Sequence, residues 1–171
     1  MPNKLHMTPN LLATATSVGA SDDVTSLLPP REAVLDRVAE RLPSADVQPA
    51  TLFILGLLRR DDGWPSAQST VAQVTTLLAR SLRGDDWLGS SGAAEFVVLL
   101  SGTETAAKTA AERLVRAVAD LDIPDLSAAV GIAALSPELT TTEVFRRATL
   151  SLTSARQVGG GTVIRYREPL V

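Results

Sequence analysis

The chain has no cysteine among its 171 residues. Disulfides and thiolate metal sites are therefore excluded. Its one histidine, His6, sits among the first residues and reads as a terminal residue. A Ser-His-Asp relay or a histidine metal site has no partner set. Lysine occurs only as Lys4 and Lys108, so arginine carries nearly all the positive charge. No sign of charge dominates: the formal net charge is -3. That balance leaves no electrostatic footprint for nucleic acid or an anionic membrane. Long apolar runs are also missing. The longest, "TLFILGLL" from Thr51 to Leu58, falls far short of the roughly 20 residues that cross a bilayer. No apolar h-region follows the N-terminus, so nothing reads as a secretory signal. The expectation is a cytoplasmic protein with no membrane insertion and no nucleic-acid partner.

What remains is a globular composition, 45% hydrophobic and 20% charged, long enough for one domain with a core. Residues 1–22 are rich in Thr, Ser, Ala, Asn and Pro without a period; they read as a flexible arm or linker. The domain is expected over residues 23–171. "REAVLDRVAERL" (Arg31 to Leu42) follows Pro29-Pro30 and has apolar residues at 34, 35, 38, 39 and 42, which is helical spacing with proline at the entrance. Thr51 to Leu58 reads as a buried strand and Arg59 to Pro65 as a loop. Ser66 to Leu82 reads as a helix burying Val71, Val74, Leu77, Leu78 and Leu82. Trp87 to Ser90 and Glu95 to Leu100 make a hairpin. Glu104 to Leu121 is a further amphipathic helix, Leu126 to Leu135 a strand, Thr142 to Val158 the last long helix, and Thr162 to Arg167 the closing strand. Gly159-Gly160-Gly161 ends that last helix as a C-cap and turn; no Gly-Lys-Ser/Thr follows it to make a phosphate loop. Alternating helices and strands imply an α/β fold: a mixed central sheet of about five strands flanked by helices.

This order, with a small-residue hairpin in its middle, resembles the GGDEF domain of diguanylate cyclases, a nucleotidyl cyclase-like fold. "DVTSLLPPR" (Asp23 to Arg31) is similar to the family's entrance motif D-x-L-T-G-L-P-N-R. Gly92-Ala93-Ala94-Glu95-Phe96 stands where the family has G-G-D/E-E-F. "LSAAVGIA" (Leu126 to Ala133) resembles its S-x-G-x-A strand, and "RATLSLTSAR" (Arg147 to Arg156) its A-D-x-A-L-Y-x-A-K helix. The resemblance covers about Asp23 to Arg167.

The family joins two GTP molecules into cyclic di-GMP, using two metal ions held by carboxylates. The resemblance puts one metal-binding acid at the end of the first strand, on Leu55 or Gly56, and the other on Ala94. Neither position has a carboxylate. The family's F-K-x-x-N-D segment has become "LRRDDG" (Leu58 to Gly63), without the asparagine that reads guanine. Asp61 and Asp62 could rebuild a metal site only if their loop folded back. Val71-Ala72 replaces a Gly-Asp pair, Arg156 a lysine, and Gly160 an arginine. Ala93 narrows the gap through which a phosphate would approach the turn. Glu95 survives, but one carboxylate does not make a two-metal site; its simpler reading is a polar residue opening a strand. No catalytic residue, metal or cofactor is expected, and no magnesium requirement.

What is retained lies just upstream. "RGDD" (Arg83 to Asp86) matches the family's inhibitory R-x-x-D, with five residues, Trp87 to Ser91, between Asp86 and Gly92. Arg113, within "AERLVR", matches its second arginine. Arginine's planar fork pairs with O6 and N7 of guanine, and a carboxylate accepts from guanine's N1 and N2 donors. The simpler alternative is that Arg83 pairs with Asp86 at a helix end and that Arg113 is a solvated helix residue. Trp64 and Trp87 could stack on bases, but packing is the simpler role for both. Three functions follow. The first is an inactive domain that binds cyclic di-GMP through Arg83, Asp86 and Arg113 and couples it to a protein effector or to self-association. The second is a ligand-independent interaction scaffold. The third is residual cyclase activity through a rebuilt metal site.

Overall fold

In the computed structural model, residues 28–59 and 68–170 are described. The arm, Asp23 of the entrance motif, Asp61, Asp62 and Trp64 lie outside them. Helix α1 (Arg31–Arg41) begins after Pro30, whose fixed φ and missing N–H suit a helix entrance. It buries Val34 and Val38. The chain then tightens into a single 3₁₀ turn, Leu42–Ser44, with Pro43 in its first positions, where the missing N–H costs no helical bond.

Strand β1 (Ala50–Arg59) follows. It runs one residue further than its sequence suggested: Arg59, expected in the loop, pairs with Leu126. Helix α2 (Gln68–Ser81) buries Val71, Val74 and Leu78, while Leu77 and Leu82, expected beside them, are only partly buried. Strands β2 (Trp87–Gly92) and β3 (Glu95–Ser101) form the hairpin. Helix α3 (Glu104–Ala119) is capped by Thr103, whose side chain accepts from the Ala106 N–H, satisfying a donor that the helix cannot. Strand β4 (Leu126–Ala134), helix α4 (Thr141–Val158) and strand β5 (Val163–Arg165) complete the chain.

The five strands lie in the order β2-β3-β1-β4-β5. All pairings are antiparallel except that of β4 with β5, which is parallel. The expected mixed α/β sheet is therefore present. Period-2 alternation splits β1 between two cores. Phe53, Leu55 and Leu57 face α2 and α3, while Leu52 and Ile54 face α1 and α4. Phe96, Val98 and Leu100 of β3 join the first core; Val97 and Leu99 join the second. Trp87 is half-buried and packs against the second core, the packing role expected of it.

Candidate functional site

Helix α2 ends at Ser81, and the next residues turn the chain into β2. The turn is closed twice. The Asp86 N–H donates to the Arg83 carbonyl at 3.1 Å, and the Arg83 N–H donates to Asp86 Oδ2 at 3.0 Å. The other carboxylate oxygen, Oδ1, accepts the Ser101 N–H at 3.1 Å. Asp86 thus ties the turn to the far end of β3. A spacing of three lets the acid reach back to the arginine's own amide, a local side-chain-to-backbone bond typical of aspartate.

The side chains of Arg83 and Asp86 do not pair with each other, contrary to the simpler alternative above. Neither the Arg83 nor the Arg113 guanidinium has a hydrogen bond or ion pair with the described residues. Both arginines and Asp86 line one cavity of about 330 Å³, within the range of small-molecule sites, about 300–1,000 Å³. Leu82, Leu100 and Leu114 line its apolar part, and Ala106, Ala110 and Ala117 line it from α3. Those alanines keep α3 from filling the space. Sequence reading missed them, although with Arg113 and Leu114 their positions 106, 110 and 117 trace one helical face. It also missed Ser101, whose place here has no local sequence signal.

The signature segment forms the opposite end of the hairpin. Gly92 pairs with Glu95 across the turn. Ala94 has φ 57°, in the left-handed region, which costs a non-glycine residue about 1–2 kcal/mol. Its carbonyl accepts the Leu57 N–H at 3.1 Å, which fastens the turn to β1. Phe96 is fully buried, whereas Ala93 is exposed. Glu95 does open a strand, and it also takes specific partners. Its Oε1 accepts from Arg156 Nη2 at 2.9 Å, and its Oε2 accepts from the Ser91 hydroxyl at 3.0 Å. Gly56 lies opposite Glu95 in the register. A Cβ on Gly56 would stand 2.5 Å from Arg156 Nη2 and 3.0 Å from its Cζ. The guanidinium therefore lies over the bare backbone of β1.

Residues 21–162 match the family described as diguanylate cyclase, GGDEF domain. The chain belongs to the GGDEF family. Among solved structures, it is similar to the diguanylate cyclase SiaD of Pseudomonas aeruginosa, solved with its activator SiaC. That match has 22% identity, a TM-score of 0.72, 84% of this chain covered and 60% of that one, so this chain spans less than two thirds of SiaD. The GGDEF domain of YfiN, or TpbB, from the same organism matches at 22% identity and TM-score 0.71, over 85% of this chain and 94% of that one. The coiled coil and GGDEF domain of DgcB from Caulobacter crescentus, solved with c-di-GMP, matches at 17% identity and TM-score 0.71, over 84% of each chain. None of the curated proteins compared matches the sequence.

A GGDEF cyclase needs carboxylates around two metal ions, and this chain's described residues do not fit that need. They contain no group of three or more acidic or histidine side chains that could hold a metal. Of the two candidate positions on β1, Leu55 is buried in the α2/α3 core, while Gly56 is the one facing α4. Glu95, the acid at this turn, is already paired with Arg156. Gly160, where the resemblance expects an arginine, lies so close to the Ser127 side chain that any Cβ there would overlap it.

Proposed function

We propose that this GGDEF domain is a catalytically inactive receptor for cyclic di-GMP, which binds at Arg83, Asp86 and Arg113. One observation carries the reading: two guanidinium groups without a partner among the described residues line the same cavity as a carboxylate. Cyclic di-GMP offers such groups guanine O6 and N7 acceptors and two phosphates. Each Asp86 oxygen spends one lone pair on a backbone N–H. The lone pairs left over can accept from guanine N1 and N2. The leucines supply an apolar surface for the base. DgcB, a structural relative, was solved with the same ligand. Inactivity rests on the lack of a metal-binding acidic cluster among the described residues and on the Glu95–Arg156 ion pair beside Gly56. SiaD's complex with an activator supports a protein effector, or self-association, as the output.

Calorimetric titration with cyclic di-GMP tests the reading. Binding in the micromolar range is expected, weakened at least about tenfold by Arg83→Ala or Arg113→Ala, since each removes a charged hydrogen-bond donor. No heat at tens of micromolar protein, or affinity indifferent to both substitutions, removes it. Incubation with GTP and Mg²⁺ or Mn²⁺ should give no cyclic product. A ligand-independent scaffold is the second reading, favoured by the fact that Asp86's backbone bonds explain R-x-x-D without any ligand. A partner recovered equally with and without cyclic di-GMP supports it.

A further inference from the structure

Arg41 is the last residue of α1 and touches none of the ligand-binding groups named above. Its Nη1 donates to the Ser101 hydroxyl at 3.0 Å, across 60 positions of sequence. Ser101 occupies a junction. Its hydroxyl donates to the Asp85 carbonyl at 3.2 Å, and its N–H donates to Asp86 Oδ1 at 3.1 Å. Asp86 Oδ2 in turn holds the Arg83 N–H. A continuous hydrogen-bonded path therefore runs from α1 through Ser101 to the turn that presents Arg83 and Asp86.

The direction of each bond matters. A serine hydroxyl has one proton and two lone pairs. With Arg41 donating to it, its own proton is turned toward Asp85. Such chains of bonds polarise and strengthen one another. Arg41 Nε is buried with no partner among the described residues, an unfavourable state for a guanidinium nitrogen. The guanidinium is therefore not placed by its own best bonding; the α1 backbone and the Ser101 contact fix it. Ser101 also separates the ligand cavity from a second groove, which Arg41, Gln48 and Asp85 help to line. At its other end α1 is fastened to the same hairpin, where the Ser90 N–H donates to the Pro29 carbonyl at 2.9 Å.

We propose that Arg41 is a positioning residue for the Arg83–Asp86 turn, and that through Ser101 it makes the cavity's ligand affinity depend on how α1 is seated on the sheet. The ligand half of this rests on the receptor reading; the positioning half does not. An input that shifts α1 would reach the cavity by this path, and ligand binding would reciprocally resist the shift.

The test uses Arg41→Met, which keeps the aliphatic stem and removes the donors, with Arg41→Lys, Ser101→Ala and the Arg41→Met/Ser101→Ala double variant. Two quantities are read in the whole chain: calorimetric affinity for cyclic di-GMP, and amide exchange of Arg83 and Ser101 in the ligand-free protein. Arg41→Met should weaken affinity about tenfold and speed exchange at those two amides at least about fivefold, with the Val130 amide in β4 unchanged. Arg41→Lys, which restores a donor, should recover most of both. The double variant should be no worse than Ser101→Ala alone, because both act on one path. Unchanged exchange in Arg41→Met, or additive losses in the double variant, overturns the proposal. If the unsubstituted protein binds no cyclic di-GMP, the receptor reading falls, and the exchange measurements still decide whether Arg41 positions the turn.

Discussion

At position 131 a missing side chain sets how closely α4 approaches the sheet. A Cβ there would overlap the Leu152 nitrogen and the Ala148 carbonyl oxygen and lie 2.7 Å from the Leu152 Cα. These are backbone atoms of a helix and cannot swing aside. Gly131→Ala should therefore destabilise the fold by about 1–3 kcal/mol, the usual range for overpacking, as read from urea unfolding. A wild-type midpoint would show that α4 can lift without cost. The Glu95–Arg156 pair is a weaker contributor. Its side chains are 28% and 34% exposed, so water screens the attraction. Arg156→Met should cost no more than about 1 kcal/mol, and a larger loss would mean that the pair holds the hairpin against α4.

Helix α4 shows how a single element collects charge. Thr140 caps it by accepting the Glu143 N–H at 3.1 Å, and a glutamate in the first turn also suits the helix dipole. Glu143 then accepts from Arg146 Nη2 at 2.7 Å and from Arg147 Nε at 3.0 Å. Arg147 reaches on to Glu168 at 2.7 Å and lies 4.7 Å from the centre of the Tyr166 ring. The last described residues are thereby strapped across α4. Bonds from Arg146, then from Arg147, lower the Glu143 carboxyl from its ordinary 4.5 to about 2. The sign follows from linkage. A carboxyl lowered on folding adds stability above its unfolded value and loses it as pH falls through the folded one. The affected window is thus pH 4.5 down to about 2. Within it, the unsubstituted protein should lose stability faster than Glu143→Gln, as followed by urea unfolding at successive pH values. Parallel curves would show that the arginines do not hold this acid in the folded state.

In the molecule as a whole, the two ends of one strand serve different purposes. Glu95 opens β3, and Leu100 with Ser101 closes it. At about 3.3 Å per residue they stand roughly 20 Å apart. Glu95 and Leu100 also differ in face: Glu95 meets Arg156 of α4, whereas Leu100 belongs to the core under α2 and α3. A change at the signature end therefore need not disturb the cavity at the other. Magnesium, with or without GTP, should leave the melting temperature unchanged, while saturating cyclic di-GMP should raise it. At a hundredfold excess over Kd the gain is about 2.7 kcal/mol, or roughly 5–11 °C for a domain of this size. A magnesium-dependent rise would mean that a metal site has been rebuilt.

Much of this was legible along the chain, because periodicity is a local property. Apolar residues at helical spacing, in alternation or in one continuous run pointed to the four α-helices and five strands of the described residues in their order. The resemblance to the GGDEF family, not periodicity, grouped Arg83, Asp86 and Arg113; all three line one cavity. The partners of the charged groups were not legible. Asp86's bond to the Ser101 N–H, Arg41's to the Ser101 hydroxyl and Arg156's to Glu95 join residues 15, 60 and 61 positions apart. Strand register and helix placement bring them together. Hydrophobic spacing by itself picked out most of the core, although Leu77 and Leu82, expected inside, are only partly buried. Only the tertiary structure decided which polar groups meet, because a hydrogen bond depends on distances of a few tenths of an ångström that no one-dimensional pattern carries.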